Sequence, residues 1–272
     1  MTDAAQFLGM QERGDPLHWR LEVVPEVTTP GNFLFGGCGL GAALVALEAA
    51  SGRPTVWSTA QYLSFAPTGS VLDLEVTLAA VGHRVTQARV VGTVGDTEIL
   101  TVNAALGLPA ALDAEGVWDA PPDVPAPEAC PSRHLPSFLT TSIFDRIDVR
   151  LAKGRSFEEI SSAEGAPGEP DSALWARVPG HLEPSAATLA ILGDYVTGGM
   201  AQPIGRRVFS RSLDNTLRVV RLEPTEWVLC DIRIQALAGG YGQGTAFLWS
   251  ESGRLLATAS QSMSVRYAPP LP

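Results

Sequence analysis

Three cysteines and four histidines are the side chains here best suited to nucleophilic or metal chemistry, and their spacing argues against both. Cys38, Cys130 and Cys230 are odd in number, lie far apart and form no CxxC pair, so neither a disulfide framework nor a zinc site is expected. His18, His83, His134 and His181 are equally dispersed and form no HxxxH, so no metal is expected. Cys38 has no histidine in its motif to activate it and reads as a small buried residue. Arg206, Arg207 and Arg211 are a local group that could meet an anionic ligand, or a solvated loop, in a chain whose net charge is −10 and whose only lysine is Lys153. No basic stripe interleaves with aromatic residues, so nucleic acid is not an expected partner.

Any such chemistry must be positioned by enclosed elements, and one stretch is built to be enclosed. Phe35 to Ala50, FGGCGLGAALVALEAA, carries Gly36, Gly37, Gly39 and Gly41 and no charge before Glu48. A helix here is apolar nearly all round and belongs inside something. Each glycine costs it roughly 1 kcal/mol against alanine, which makes sense where another backbone or a ligand comes close.

The remaining chain supplies strands to wrap that helix. Residues 18–28 form a first strand, and four runs from Thr55 to Gly107, punctuated by Pro67, Gly69, Gly82 and Gly95, read as an antiparallel meander. Residues 108–136 hold seven prolines and read as a surface linker. After it the order recurs: a strand over 144–151, a polar and mobile insertion over 152–172, a strand near 174–178, a second small-residue helix over 184–195 with Ser185 as N-cap, and a meander from Arg211 to Tyr267. One ungapped offset lays Gly82 on Gly240, Gly95 on Gly253, Leu74 on Ile232, Val76 on Ile234 and Asn103 on Gln261. The chain therefore divides into one unit over 1–107, the linker over 108–136, and a second copy over 137–272. No apolar run approaches the length of a membrane span, and the opening MTDAAQFLGMQERGD lacks the marks of a signal peptide, so a cytoplasmic protein without membrane contact is expected.

A strand, a buried helix and a meander, present twice, make an α+β double hotdog: two fused units whose sheets run together edge to edge with the helices on the concave side. The chain resembles the acyl-CoA thioesterase II (TesB-like) family of double-hotdog thioesterases. The resemblance is carried by LFGGCGLGAAL at 34–44, YLSFAPTG at 62–69, LGD at 192–194, SLDNT at 212–216, EW at 226–227 and SGRLLATASQSMSVR at 252–266. It implies hydrolysis of an acyl-CoA thioester to a free carboxylic acid and CoA, with catalytic residues Asp194, Ser212 and Gln261 orienting a water and Asp194 as base. An aspartate on an apolar, enclosed helix is expected to have a raised pKa, which suits a base. Backbone N–H groups near a helix N-terminus would receive the developing oxyanion. Gly36, Gly37, Cys38 and Asn103 are the expected substrate-binding residues, no cofactor is implied, and a homodimer or larger homo-oligomer is expected.

In the first half no aspartate takes the place of Asp194, and Glu48 reads as an exposed helix end, so one site per chain is expected. The chain has Cys38 where the family often has glutamine, and Ser58, Thr59 and Gln61 where a His-rich strand opening is common; both bear on the substrate. Two other readings share the scaffold. A hotdog hydratase acting on enoyl-CoA needs an Asp/His pair, and neither buried helix carries a histidine. A non-catalytic binder of acyl-CoA or acyl chains fits everything except a working Asp194, Ser212 and Gln261.

Overall fold

In the computed structural model of the chain, residues 3–110, 112, 114–134, 141–179 and 183–269 are described. His181 and part of the proline-rich segment lie outside them. Among the described residues thirteen strands form one antiparallel sheet. The first half contributes β1 (Met10–Glu12), β2 (His18–Glu22), β3 (Thr55–Tyr62), β4 (Val71–Val81), β5 (Val85–Val94) and β6 (Thr97–Gly107). The second contributes β7 (Asp148–Lys153), β8 (Asp171–Arg177), β9 (Val208–Ser212), β10 (Asp214–Val219), β11 (Val228–Ala238), β12 (Tyr241–Ser250) and β13 (Leu255–Tyr267). The helices are α1 (Asp3–Leu8), α2 (Gly36–Ser51), α3 (Phe157–Ser162), α4 (Ala186–Gly193), α5 (Val196–Gly199) and α6 (Ala201–Ile204).

The strand order β1-β2-β4-β5-β6-β3-β10-β13-β12-β11-β8-β7, with β9 added on β13, reads as a palindrome of equivalent strands. Its midpoint is the β3–β10 seam, where Thr59 faces Thr216 across a hydroxyl–hydroxyl hydrogen bond of 2.8 Å, with Ala60 facing Asn215 and Ser58 facing Leu217 on either side. This is the expected double hotdog. We take the proline-rich segment as the boundary between its two units.

The glycine-rich helix forms where the sequence places it. Gly52 closes α2 in the left-handed conformation that glycine adopts without penalty, and every residue from Gly37 to Leu47 is buried. Burying Leu40, Leu44 and Leu47 contributes about 1.5–3 kcal/mol each, enough to offset the glycines. Those glycines let α2 lie against α4: a Cβ on Gly37 would stand 2.8 Å from Ile191 Cα, and one on Gly41 would stand 3.1 Å from the Ala187 carbonyl oxygen. These reciprocal contacts relate Gly37 to Ala187 and Gly41 to Ile191. One core cluster then runs through both halves, from Leu44, Leu74 and Val102 to Leu192, Ile232 and Ala259.

Two expectations, the strand from residue 144 and the single ungapped repeat offset, are corrected, and two further segments gain detail. Residues 143–146 form a 3-10 turn, because the Ser142 side chain accepts the Phe144 N–H, and the strand starts only at Asp148. The insertion expected to be mobile contains α3, held by a capping box in which Ser156 and Glu159 satisfy each other's backbone N–H. The proline-rich segment is pinned to the second half: Trp175 Nε1 donates to the Pro125 carbonyl at 2.9 Å, and Ser132 bridges to Arg150. The internal repeat does not follow one ungapped offset. Thr59 faces Asn103 as Thr216 faces Ser260, so Asn103 corresponds to Ser260 and Ala104 to Gln261; in the neighbouring strands Val76 corresponds to Ile232. The Gly95–Asp96 turn after β5 is one residue shorter than the Glu251–Gly253 turn after β12, and the slip enters there.

Candidate active site

Asp194 caps the C-terminal end of α4 and is 3% exposed. Gly193 brings the helix end close to β13; a Cβ there would stand 2.9 Å from the Ala259 methyl. The carboxylate sits between the electronegative end of α4 and the electropositive start of α2, and the latter supplies a ligand. The Gly37 N–H donates to Oδ2 at 2.6 Å. Oδ1 accepts from Asn215 Nδ2 at 3.2 Å and from Gln261 Nε2 in a short hydrogen bond. Because an ionised carboxylate only accepts, both amides turn their nitrogens toward it. Burial is the main influence on this group: it pushes the pKa up to about 7, while the hydrogen bonds from Gly37, Gln261 and Asn215 act the other way.

Gln261 links this carboxylate to Ser212. It lies on β13 between Ala259 and Met263, on the buried face, and is 3% exposed. Its Nε2 also donates to Ser212 Oγ at 3.3 Å. Ser212 reaches it because the chain bends between β9 and β10: Leu213 N–H donates to the Ser262 carbonyl at 2.8 Å, and Asp214 Oδ1 accepts the Ser262 N–H at 2.7 Å. Asp194, Ser212 and Gln261 thus form one connected group. Three enclosed oxygens in this neighbourhood, Tyr62 Oη, Asn215 Oδ1 and Gln261 Oε1, make no hydrogen bond among the described residues. Buried polar atoms are ordinarily satisfied, so their concentration marks a place where polar groups are kept for another purpose.

The residues expected to bind substrate divide. Gly36 lies between Asp194 and Tyr62, since a Cβ there would stand 3.0 Å from Asp194 Oδ2 and from the Tyr62 hydroxyl. Gly37 binds the carboxylate through its N–H. Cys38 is fully buried, and burial, with a further push from the Asp194 charge, raises its thiol far above the ordinary cysteine range, so it is held as a neutral thiol. Asn103 does not join the group. It is exposed on the opposite face of the sheet, facing Arg89 and Thr59, because a one-residue difference in register exchanges the two faces of a strand.

The symmetry also shows why the first half offers no second such cluster. Three residues beyond the Gly41–Ile191 equivalence, Leu44 stands where Asp194 does, and Ala104 stands in place of Gln261; both are buried and apolar. Glu48 is occupied in accepting the Thr55 N–H at 2.9 Å.

Two contributors were not picked out from the sequence. Asn215 lies inside SLDNT and shares the inward face of β10 with Leu217, so a polar residue at a buried alternate position was the available signal. Tyr62 comes to the carboxylate only through the β3–β10 pairing, which no local pattern announces. The first turn of α2 is also less open than expected as an oxyanion site, since the Cys38 and Gly39 N–H groups donate to the Phe35 carbonyl at 3.0 and 3.1 Å. Among the described residues, no three His, Cys, Asp or Glu side chains gather as a metal ion would need, and no helix is long and apolar enough to cross a membrane.

Residues 122–265 match the family described as acyl-CoA thioesterase C-terminal domain. A protein from Novosphingobium aromaticivorans, provisionally described as a thioesterase, is 34% identical, with 93% of this chain and 96% of that one covered and a TM-score of 0.81. A hot dog fold protein of unknown function from Alicyclobacillus acidocaldarius is 19% identical over 99% of each chain, with a TM-score of 0.82. The acyl-CoA thioesterase II TesB2 of Mycobacterium marinum is 20% identical over 97% of this chain and 98% of its own, with a TM-score of 0.75. No curated protein matches the chain.

Proposed function

The chain belongs to the acyl-CoA thioesterase family, and from that premise we propose that it hydrolyses an acyl-CoA thioester to a carboxylic acid and CoA by direct attack of a water molecule held at Asp194. The observation that carries this reading is the Asp194 carboxylate itself, enclosed, held by three donors and poised at about 7. A base with a pKa near the working pH is both deprotonated often enough and basic enough to take a proton from water. Gln261 and Ser212 fix the water's orientation, which removes much of the entropic part of the barrier.

The water oxygen bonds to the thioester carbonyl carbon as its proton passes to Asp194, and the carbonyl electron pair moves onto oxygen. When the carbonyl re-forms, the C–S bond breaks and the departing thiolate takes the proton from Asp194. One water is consumed and nothing remains on the enzyme. The acyl chain runs near α2 and α4, but not in the space beside Gly37 and Gly41, which α4 itself fills. A cytoplasmic homodimer or larger homo-oligomer completes the reading.

Release of free thiol from acyl-CoAs of increasing chain length, measured for the wild type and Asp194→Asn together, tests this. We expect turnover of some chain length by the wild type and a loss of about a hundredfold or more in the variant, the scale of a general base. Equal binding of acyl-CoA by both proteins with hydrolysis by neither would instead make this a non-catalytic acyl-CoA binder.

A further inference from the structure

Tyr62 closes β3, and its ring packs against the core while its hydroxyl is enclosed without a hydrogen-bond partner among the described residues. An unpartnered buried hydroxyl costs roughly 1–3 kcal/mol, so its retention calls for a reason. Its surroundings supply one. The hydroxyl and Asp194 Oδ2 each lie 3.0 Å from the point where a Cβ on Gly36 would stand, so they flank one glycine and are within twice that distance of each other, yet they do not bond. Asn215 approaches the hydroxyl as well, without completing a well-directed hydrogen bond. The Tyr62 N–H donates to the Leu213 carbonyl at 3.0 Å, which ties the residue to the bend that carries Ser212.

Any hydrolysis at Asp194 needs a donor for the carbonyl oxygen as it becomes negative. The start of α2 is the usual place to look, but from Gly37 onward its first N–H groups are taken up: Gly37 by Asp194, Cys38 and Gly39 by Phe35. Among the described residues, the Tyr62 hydroxyl is an enclosed side-chain donor beside the carboxylate that remains free.

We propose that Tyr62 is a catalytic residue whose hydroxyl donates to the thioester carbonyl oxygen and stabilises the oxyanion formed as Asp194 takes the proton of the attacking water. The assignment rests on the reading of Asp194 given above. The phenol keeps its own proton throughout: it enters the step as a hydrogen-bond donor, and the charge it stabilises disappears when the carbonyl re-forms and the C–S bond breaks. Burial, then the nearby Asp194 charge, hold its acidity well below that of an ordinary tyrosine, so it remains a donor across the working pH range. A donor with no partner among the described residues is free for the carbonyl oxygen, and its hydrogen bond strengthens as charge builds there, which favours the transition state over the ground state. The site then draws its base and water-orienting groups from the second half and its oxyanion donor from the first.

Tyr62→Phe tests this, since it removes one oxygen and keeps the ring. Assayed beside the wild type and Asp194→Asn, it should lose about a hundredfold to a thousandfold in kcat with KM little changed, the scale of one oxyanion donor. The midpoint of its pH–rate profile should stay where the wild type's is, and its melting temperature should be equal or higher because an unpartnered hydroxyl has gone. A kcat within about threefold of wild type, while Asp194→Asn is inactive, overturns the assignment of Tyr62 and leaves the thioesterase reading standing. A lower melting temperature with a displaced pH midpoint makes Tyr62 a support for Asp194 and overturns it too. A wild type that turns over no acyl-CoA overturns both.

Discussion

At the scale of single residues, the position of Asp194 between helix ends makes it both the proposed base and a proton-linked part of the fold. As base it acts deprotonated, so kcat/KM should rise with pH and level off above about 7, and a rate independent of pH from 5 to 9 would contradict the assignment. For stability the sign runs the other way. The folded protein keeps a proton on Asp194 up to about 7, whereas in the unfolded chain the group releases it near the ordinary 3.8. The folded state therefore binds more protons between those values, and stability falls as pH rises through the window. The melting temperature of the wild type relative to Asp194→Asn should decline from about pH 4 to about pH 7 and be level outside it. Asp194, Ser212 and Gln261 were legible as a group because the family resemblance gives each of them a role. Tyr62 was not, because its place depends on a strand pairing between residues far apart in sequence.

At the scale of elements, the glycines of α2 are not equivalent. A Cβ on Gly37 would meet the Ile191 Cα at 2.8 Å, Asp194 Cβ at 2.9 Å and the Ala190 carbonyl oxygen at 3.0 Å, atoms fixed by α4. Gly37→Ala must therefore push the helices apart, and we expect a loss of about 1–3 kcal/mol in chemical denaturation. A Cβ on Gly39 would meet only the end of the Leu100 side chain at 2.9 Å and Leu34 at 3.4 Å, both able to rotate away. Since alanine gains roughly 1 kcal/mol of helix propensity, Gly39→Ala should come out near neutral. Apolar character and small residues marked α2 in the sequence, but which glycine carries the close approach follows from helix crossing. Register behaves likewise: Leu- and Val-rich alternation located β4 to β6, while the unequal turns after β5 and β12 that set Asn103 level with Ser260 lie outside any single strand's pattern.

At the scale of the whole molecule, the ladder through Thr59 and Thr216 and the shared core leave the halves few means of coming apart separately. Calorimetry should show one cooperative transition, with calorimetric and van't Hoff enthalpies in agreement; two resolved transitions would mean that the seam is weaker than its pairing suggests.

The seam has a further meaning for an arriving substrate. Because the strand order reads the same from either end, the backbone is nearly indifferent to left and right. Direction is written only in side chains, with Asp194, Gln261 and Tyr62 on one side of the axis and Leu44, Ala104 and Val219 at the equivalent places. A thioester meeting this near-mirror of alternatives is told by a handful of atoms which way to lie.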